Sequence, residues 1–378
     1  MRIGLDGKVL TLRAGGIGRY AINLTRAMLA EAAAHRRELE FVILTGPQTS
    51  RSVMAEFRGL CSEHFLGAKS SLLRSFVHIP LALRRMRIDV FHGMDHVGIP
   101  FVGKTGKCVV TVHDVIPLVL PRTFTRRHRL VVRTALARVG RQADLIIVPS
   151  RAVQRDVVQY LRVPQDRVAV TPHGCEARFN PSRDAPAMGA ATARYGLPAR
   201  YLLAVGTLEP RKNLTTLVRA FARLRDRSEI DRAVGLVLAG ARGWLDDPIF
   251  RTVQSLGLED AVRFPGFIDD DDLPAVYRGA ELVVFPSLYE GFGLPLLEAM
   301  ACGVPVVASN TAALPEVAGG AAILVDPLDV DGMARAVAGV LGDEALRGRL
   351  REDGIARASE FSWETAARRT LDAYASLV

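Results

Sequence analysis

The sequence is poor in cysteine, with four among its 378 residues. Cys61, Cys108, Cys175 and Cys302 are widely scattered and form no CxxC pair. Their spacing fits neither a disulfide framework nor a zinc site, and it indicates reduced thiols in a cytoplasmic protein. The sequence also lacks a signal-peptide pattern and any apolar run of the roughly 18–20 residues that cross a bilayer. We therefore expect neither secretion nor membrane insertion, while peripheral contact with the inner face of the membrane stays open.

Common nucleotide-binding and metal-binding signatures are missing as well. The glycine segment Gly15–Tyr20 lies between the first predicted strand and a helix, but it does not read GxGxxG and it contains no Gly-Lys-Ser/Thr. A glycine loop that opens onto a helix still suits close approach to an anionic group. The acidic run Asp269–Asp272 precedes a predicted helix, where it supplies an N-cap and a negative first turn. The sequence therefore predicts no metal site.

Buried strands alternate with helices along the whole chain. Each short run rich in Val, Ile, Leu and Phe is followed by a longer stretch of helical character. The runs are residues 41–44, 108–112, 145–148, 202–205, 236–238, 282–285 and 304–307. Continuous apolar strands between amphipathic helices are typical of parallel sheets covered on both faces. The sequence thus predicts a doubly wound α/β protein.

Turn-forming residues between about 172 and 200 divide the chain, and a new buried strand follows them at once. We expect an N-terminal domain at 1–175, a connection at 176–199 and a C-terminal domain at 200–362. The segment 143–150 (ADLIIVPS) is similar to 280–287 (AELVVFPS). This similarity indicates either two Rossmann-like halves or simply two buried strands that each end in a helix N-cap.

The most specific motif runs from Glu290 to Glu298, between two predicted strands. Pro295 suits the first turn of a helix, so Glu290 lies in the loop before that helix and Glu298 on its second turn. Gly291 and Gly293 allow backbone N–H groups to approach phosphate or sugar oxygens at the helix N-terminus. An isolated pair of glutamates would indicate only a solvated loop, but the glycines and the strand-to-helix context favour a binding site.

Two further candidates lie where predicted strands end. Arg211 and Lys212, in the segment Gly206–Asn213, place adjacent cations at the carboxyl end of a parallel strand, where α/β proteins bind ligands such as diphosphates. Taken alone, the same pair is also explained by solvated cations that flank an Asn helix cap. His113 ends a buried strand of the N-terminal half, and this position favours a role in a site over a purely structural one.

These segments, in this order, resemble the retaining glycosyltransferases of family 4, which have the GT-B fold. The resemblance covers essentially the full length. It rests on Gly15–Tyr20, His113-Asp114, Gly206–Asn213, the run from Phe285 through Glu298 to Val307, and Leu314–Val317 followed by Ile323–Pro327. It implies two Rossmann-like doubly wound domains that face a central cleft, with a C-terminal helix at 363–378 crossing back to the N-terminal domain.

The resemblance also implies roles for single residues. His113 and Glu290 would be the catalytic residues, with His113 beside the transferred sugar. Glu290 and the backbone of residues 291–293 would contact the donor sugar, and Glu298 would bind the ribose hydroxyls. Arg211 with Lys212 would neutralise the diphosphate, which Gly16 would approach from across the cleft. The implied donor-binding residues are Gly16, Arg211, Lys212, Gly291, Phe292, Gly293, Leu294 and Glu298. Many members have Arg where Thr207 stands here, so neutralisation would rest on Arg211 and Lys212.

The implied reaction needs a nucleotide-sugar donor as co-substrate and neither a metal nor a separate cofactor. The resemblance favours GDP-mannose, with a UDP-hexose as the alternative. The N-terminal domain would bind a saccharide or lipid-linked acceptor in polysaccharide or glycan biosynthesis. A sugar-nucleotide-binding protein without catalysis is a further alternative.

Basic residues are concentrated in the N-terminal half. The formal net charge is +9, and residues 70–141 contain 13 basic and three acidic residues. The stretches 72–87 and 126–133 mix Arg with apolar residues, which fits either an anionic membrane surface or ordinary helices with one face in the core. An anionic lipid-linked acceptor would favour the membrane. The charge also suggests nucleic acid, but no helix-turn-helix, zinc finger or RNA-binding aromatic motif is present, and we expect no such partner.

Overall fold

The computed structural model describes residues 1–11, 15–34, 38–67, 73–96, 106–182 and 184–378. These residues form two compact units. The first unit consists of Met1–Pro121, Thr125–Gly174 and Ser362–Val378, and the second consists of Arg122–Phe124 and Cys175–Phe361. Residues 176–199, expected as a connection, belong to the second unit, because the helix Ala185–Tyr195 packs there against the helix Leu273–Gly279. Residues 70–72 and 97–105 of the basic segment lie outside the described residues.

In its described part the first unit contains a seven-stranded sheet with the order β3-β2-β1-β4-β5-β6-β7, and every pair is parallel. The strands are β1 Arg2–Asp6, β2 Glu40–Thr45, β3 Ser62–Phe65, β4 Val90–Gly93, β5 Lys107–Thr111, β6 Leu145–Val148 and β7 Val168–Val170. The α-helices are Gly15–Ala34, Arg51–Glu56, Ile79–Arg85, Ile116–Val119, Arg126–Gln142, Arg151–Leu161 and Trp363–Ala375. A π-helical turn, Arg74–His78, leads into the helix Ile79–Arg85.

The second unit contains, among the described residues, a six-stranded parallel sheet with the order β10-β9-β8-β11-β12-β13. The strands are β8 Arg200–Val205, β9 Val234–Ala239, β10 Val262–Gly266, β11 Leu282–Phe285, β12 Val306–Ser309 and β13 Ile323–Val325. The α-helices are Ala185–Tyr195, Leu214–Asp226, Asp247–Ser255, Leu273–Gly279, Leu294–Ala301, Leu314–Ala318, Val330–Gly342 and Glu344–Ser359. No helix in the described ranges of either unit is both long enough and apolar enough to cross a membrane.

Both sheets are buried on their two faces, as the continuous apolar runs predict. Along β2, Ile43 belongs to one core cluster of the first unit, while Val42 and Leu44 belong to the cluster on the opposite face. Side chains that alternate between two covered faces must all be apolar, which is why these strands lack a polar alternation. The predicted doubly wound α/β architecture is therefore confirmed. The edge strand β3 reads Ser-Glu-His-Phe, which is not a continuous apolar run, and it was therefore not predicted from the sequence.

The six strands of the second sheet follow the same order as β3-β2-β1-β4-β5-β6 of the first sheet. The similar segments 143–150 and 280–287 nevertheless do not contain equivalent strands. The segment 143–150 contains β6, which is sixth in the first unit, whereas 280–287 contains β11, which is fourth in the second. Ser150 caps a helix by accepting a hydrogen bond from the backbone of Val153, while the hydroxyl of Ser287 donates to Glu290. The similarity therefore reflects two buried strands, and the two segments do not occupy equivalent positions in the two sheets.

The acidic run before the helix Leu273–Gly279 forms ion pairs and does not cap that helix. Asp272, at the N-cap position, has a helical backbone and makes no capping hydrogen bond. Its carboxylate pairs with Arg194 at 2.6 Å and accepts from the Tyr195 hydroxyl at 2.8 Å, and Asp269 pairs with the same arginine. The predicted N-cap was wrong because side chains of the helix Ala185–Tyr195 bind these carboxylates in place of the backbone N–H groups of the helix Leu273–Gly279.

The C-terminal helix Trp363–Ala375 packs on the first unit, as the resemblance implied. Ser362 caps it by accepting a hydrogen bond from the backbone of Thr365 at 3.1 Å. Its buried face packs against the helix Gly15–Ala34. At its start the chain passes so close to Gly174 that a Cβ there would lie 2.2 Å from the backbone nitrogen of Trp363. Only glycine permits this approach.

We expect Gly174→Ala to destabilise the first unit by about 2–3 kcal/mol, because a backbone atom cannot yield as a flexible side chain can. Urea unfolding followed by fluorescence measures this effect. Trp244→Phe in the background leaves Trp363 as the single tryptophan. Gly67→Ala is the matched control, since among the described residues beyond its chain neighbours the nearest atom to its Cβ would be 3.9 Å away. Equal midpoints for the two alanine variants would contradict the prediction.

Candidate active site

The loops after β8 and β11 carry the candidate residues of the second unit. The strand order reverses between these two strands, and open α/β sheets bind ligands at the carboxyl end of such a switch point. After β8, Pro210–Lys212 forms one 3-10 turn and Asn213 follows with a φ of 55°. The Asn213 amide does not cap the next helix. It donates to the carbonyl oxygens of Pro286 at 3.1 Å and Pro327 at 2.6 Å, and so joins three loops at this edge.

Arg211 and Lys212 converge on Glu290. The amine Nζ of Lys212 donates to Oε1 of Glu290 at 2.6 Å, and Nη1 of Arg211 lies 2.9 Å from Oε2. The Ser287 hydroxyl donates to Oε1 at 2.7 Å, and Glu209 binds Nε of Arg211 at 2.5 Å. We call these five residues the ion network. It contains two cations and two carboxylates, so its formal charges balance.

The ion network is buried, and this determines its ionisation. Lys212 is 7% exposed, Glu290 8% and Glu209 2%. Burial alone would raise the pKa of Glu290, but Arg211, Lys212 and the Ser287 hydroxyl outweigh burial and lower this pKa to about 2. Burial lowers the pKa of Lys212, and Glu290 opposes that shift. The carboxylate and the amine therefore stabilise each other as an ion pair.

Gly206 makes room for the lysine of this network. Its φ is 147°, and a Cβ there would lie 3.0 Å from Cε of Lys212. The amine also lies 4.9 Å from the ring centroid of Phe285, at the end of β11, within cation–π range. The side chain of Lys212 is thus held between two strand ends before any ligand is present.

The helix Leu294–Ala301 begins four residues after Glu290, in the connection that follows the carboxyl end of β11. Gly293 precedes it with a φ of 102°, and a Cβ there would lie 2.8 Å from Cδ2 of Leu314. Both observations require glycine. Gly291 and Phe292 are buried, whereas Leu294 is half-buried. This part of the motif therefore places a helix N-terminus beside a buried carboxylate, as the sequence predicted.

Glu298 lies on the second turn of that helix, where Pro295 predicted it, and is 3% exposed. Its Oε2 accepts a hydrogen bond from the Tyr277 hydroxyl at 2.9 Å. Glu290 and Glu298 thus have different partners: cations hold the first carboxylate and a phenol holds the second.

In the first unit, His113 follows β5 and is buried. Its Nε2 donates to the carbonyl oxygen of Met94 at 3.0 Å, which fixes the proton on that nitrogen. Burial lowers the pKa of His113, and Asp95 and the Met94 carbonyl oppose this shift in part. The ring of Tyr20 meets it edge-on at a centroid distance of 4.7 Å. Gly16 is exposed in the first turn of the helix that starts at Gly15.

A buried hydrogen-bonded chain reaches the ring that contacts His113. The Tyr374 hydroxyl bonds Nδ1 of His92 at 2.5 Å, Nε2 of His92 bonds the Thr111 hydroxyl at 2.8 Å, and that hydroxyl bonds Tyr20 at 2.7 Å. Burial lowers the pKa of His92 to about 3. These groups stay neutral, and their hydrogen bonds position Tyr20 beside His113.

Comparisons with known proteins place the chain in a family. The family described as "Glycosyltransferase Family 4" matches residues 14–179, and "Glycosyl transferases group 1" matches residues 196–357. O-antigen chain mannosyltransferase B of Escherichia coli is 35% identical over 294 residues, which cover 78% of this chain and 76% of that protein. The chain belongs to glycosyltransferase family 4.

Two further comparisons extend this assignment. The serotype-specific mannosyltransferase WbdA of Escherichia coli is 29% identical over 404 residues, which cover 100% of this chain but only 48% of WbdA. The chain thus spans about half the length of that relative. HepE of Anabaena, crystallised with UDP and glucose, has a TM-score of 0.75 at 19% identity, with both chains fully covered. The likeness to HepE confirms the predicted GT-B fold of this glycosyltransferase.

The structure brings residues of two predicted segments of the glycosyltransferase together: Arg211 and Lys212 from the first, and Glu290 with the residues 291–294 from the second. Glu209 and Ser287 complete the ion network and were not predicted from the sequence. Glu209 stands two residues before Arg211 in a segment already singled out, and Ser287 follows the end of the predicted strand 282–285 by two residues. A half-buried arginine and a buried glutamate each need more than one partner, and this requirement was the available signal.

The ion network predicts how acid affects the second unit. The folded pKa of Glu290, about 2, lies below its ordinary value of 4.5. Its contribution to the free energy of unfolding is therefore complete above pH 4.5 and is lost as the pH falls toward 2, by at most about 1.4 kcal/mol per pH unit. We expect Glu290→Gln to flatten this acid-side slope, and to destabilise the unit by about 3 kcal/mol at neutral pH because Lys212 loses a buried partner.

The measurement is urea unfolding at pH 2 to 7, followed through Trp244 of the second unit in a Trp363→Phe background. Glu352→Gln, at an exposed site on the helix Glu344–Ser359, is the control and should keep the slope of the parent. An unchanged slope in Glu290→Gln would contradict the assigned ionisation.

Proposed function

We propose that this family 4 glycosyltransferase transfers mannose from GDP-mannose, with retention at the anomeric carbon, to a saccharide or lipid-linked acceptor in polysaccharide biosynthesis. The Escherichia coli relatives, which are named mannosyltransferases, support the choice of mannose. The observation that supports the donor site is the ion network, in which Arg211 and Lys212 are fixed beside Glu290 at the switch point of the second sheet.

The ion network suits the departure of a nucleoside diphosphate. In the proposed reaction the bond between the anomeric carbon and the β-phosphate oxygen breaks while a bond from that carbon to an acceptor hydroxyl oxygen forms. Negative charge grows on the leaving phosphate, which takes up the proton of the acceptor hydroxyl. Arg211 and Lys212 are already oriented by Glu209 and Glu290, so they stabilise this charge without reorganisation. The N-terminus of the helix Leu294–Ala301 adds the positive end of the helix dipole. We propose that these groups take the place of a metal ion.

The carboxylates divide the recognition of the donor. Glu298 accepts hydrogen bonds from the ribose hydroxyls, as acidic residues do in nucleotide-binding α/β folds. Glu290, with the backbone of 291–294, contacts the donor sugar. For His113 and Gly16 in the first unit, the roles beside the sugar and the diphosphate stay predictions from the family resemblance.

We expect GDP-mannose to raise the thermal midpoint of the protein more than UDP-glucose, ADP-glucose or mannose at equal concentration. A ligand that binds only the folded state stabilises it, by about 2.7 kcal/mol at a hundredfold excess over Kd. A larger shift with UDP-glucose would favour the alternative donor. Slow release of free mannose from GDP-mannose would distinguish an enzyme from a binding protein without catalysis, and no shift with any nucleotide would overturn the donor site.

A matched pair of variants tests the ribose contact. Glu298→Gln removes the charge of the acceptor that binds the hydroxyls, so it should abolish most of the shift with GDP-mannose and with GDP. Tyr277→Phe removes the hydrogen bond to Glu298 but keeps the carboxylate, so the shift should largely remain. Equal losses in both variants would indicate a structural effect and contradict the ribose role.

We also propose that the first unit binds an anionic membrane surface through two helical segments. The helix Arg126–Gln142 exposes Leu130 (64%) and Val131 (50%) among arginines, and the segment 73–85 exposes Phe76 and Leu81. The guanidinium of Arg138 lies 4.6 Å from the ring centroid of Phe76, so the two segments are neighbours. Exposed apolar side chains surrounded by arginines are typical of interfacial helices. Leu72, the first residue of the predicted stretch, lies outside the described residues.

We expect the protein to float with vesicles that contain phosphatidylglycerol and to float less with pure phosphatidylcholine or at high salt. Leu130→Glu should reduce flotation severalfold, because it places a charge on the apolar surface of the helix Arg126–Gln142. Leu60→Glu makes the same change at a site that is 52% exposed in the same unit and should have no effect. Equal flotation of both variants would contradict the proposal that this surface binds the membrane.

A further inference from the structure

A cavity of about 590 Å³ opens at the edge of the second sheet where the strands begin. Residues at or just before the starts of β8, β11 and β12 line it, together with the helix Glu344–Ser359. In a parallel sheet this edge lies opposite the carboxyl edge that carries the ion network. A volume of this size falls within the range of roughly 300–1,000 Å³ for small-molecule sites. We call it the amino-edge cavity.

Four arginines line the amino-edge cavity: Arg200, Arg278, Arg347 and Arg351. Carboxylates neutralise only the first of them, since Arg200 pairs with Glu281 at 2.5 Å and with Asp231 at 2.7 Å. Within the described residues, the other three form no ion pair. Glu344 also lines the cavity and lies beyond ion-pair distance of all four. Three of the four guanidinium groups in the cavity wall therefore have no carboxylate partner within ion-pair distance among the described residues.

Backbone carbonyl groups hold two of these arginines in place. Arg278 donates from Nε to the carbonyl oxygen of Asn180 at 2.8 Å and from Nη2 to that of Arg178 at 2.8 Å. Arg347 donates from Nη1 to the last carbonyl oxygens of the helix Val330–Gly342. A carbonyl orients a guanidinium but does not cancel its charge. Both side chains are half-buried and are thus ordered without an anionic partner.

The third arginine, Arg351, lies over a glycine turn. Gly303 has a φ of 67°, and a Cβ there would lie 3.3 Å from Nε of Arg351. Gly279 and Gly348 also line the cavity. The absence of side chains at these positions leaves space between the arginines, which a ligand can occupy.

We propose that the amino-edge cavity is a second anion site, which binds a small phosphate-bearing ligand through Arg278, Arg347 and Arg351. The planar guanidinium group pairs with phosphate oxygens in a bidentate manner, and arginines ordered in advance bind with little loss of side-chain freedom. The site is separate from the donor residues and does not depend on the proposed sugar or nucleotide. Free phosphate and a phosphate monoester offer the same chemistry.

Calorimetric titration with inorganic phosphate and with a hexose monophosphate, at constant ionic strength, tests the proposal. We expect Arg351→Ala to weaken binding about tenfold or more, as the loss of a charge-assisted pair implies. Arg349→Ala removes an exposed arginine outside the cavity wall on the same helix and should bind as the parent does. The donor residues are intact in both variants, so the difference between them reports on the cavity alone.

A second pair of variants covers the case in which Arg351→Ala does not fold. Gly348 is helical and exposed, and no atom lies within 4 Å of a Cβ there. Gly348→Asp should repel phosphate from the cavity and weaken binding at least severalfold, whereas the isosteric Gly348→Asn should bind like the parent. Tighter binding of the monoester would identify the ester as the ligand, and equal binding would identify phosphate. Equal affinities within both pairs of variants, or no binding to the parent, would overturn the proposal.

Discussion

The ionised carboxylate of Glu290 imposes the main constraint on the second unit. A buried carboxylate is costly unless cations and hydrogen-bond donors surround it. Here Arg211 and Lys212 come from the loop after β8, and Ser287 comes from the end of β11. The charge therefore fixes two loops against each other. It also fixes the point from which the helix Leu294–Ala301 starts, because that helix follows Glu290 by four residues.

The two units bury polar groups by opposite means. In the second unit, charges are paired, and the pairing lowers the pKa of Glu290. In the first unit, the chain from Tyr374 through His92 and Thr111 to Tyr20 is neutral, and burial lowers the pKa of His92. Pairing holds two cations in fixed positions, whereas the neutral chain orders aromatic rings around His113. The difference follows from whether a counter-charge lies within reach.

Charge is organised locally and not by half. The second half of the chain is net acidic, yet its sheet has a balanced ion network at one edge and three unpaired arginines at the other, among the residues that the structure describes. Some of the acidic residues form surface pairs, as Asp272 does with Arg194. In the first half, the arginines of the helix Arg126–Gln142 surround exposed leucine and valine. Net charge alone therefore reveals little about where anions bind.

The sequence alone determined the α/β class, most central strands and the segments that carry the candidate site, because burial on both faces and glycine-rich loops leave local patterns. It also placed Glu290 before the helix and Glu298 on its second turn. Only the tertiary structure decided what these residues contact. Glu209 joins Arg211, Asp272 binds Arg194 instead of capping a helix, and Arg278 and Arg351 meet at one cavity. Most such contacts join residues far apart in the chain, and no local sequence pattern determines which of several possible partners a side chain binds.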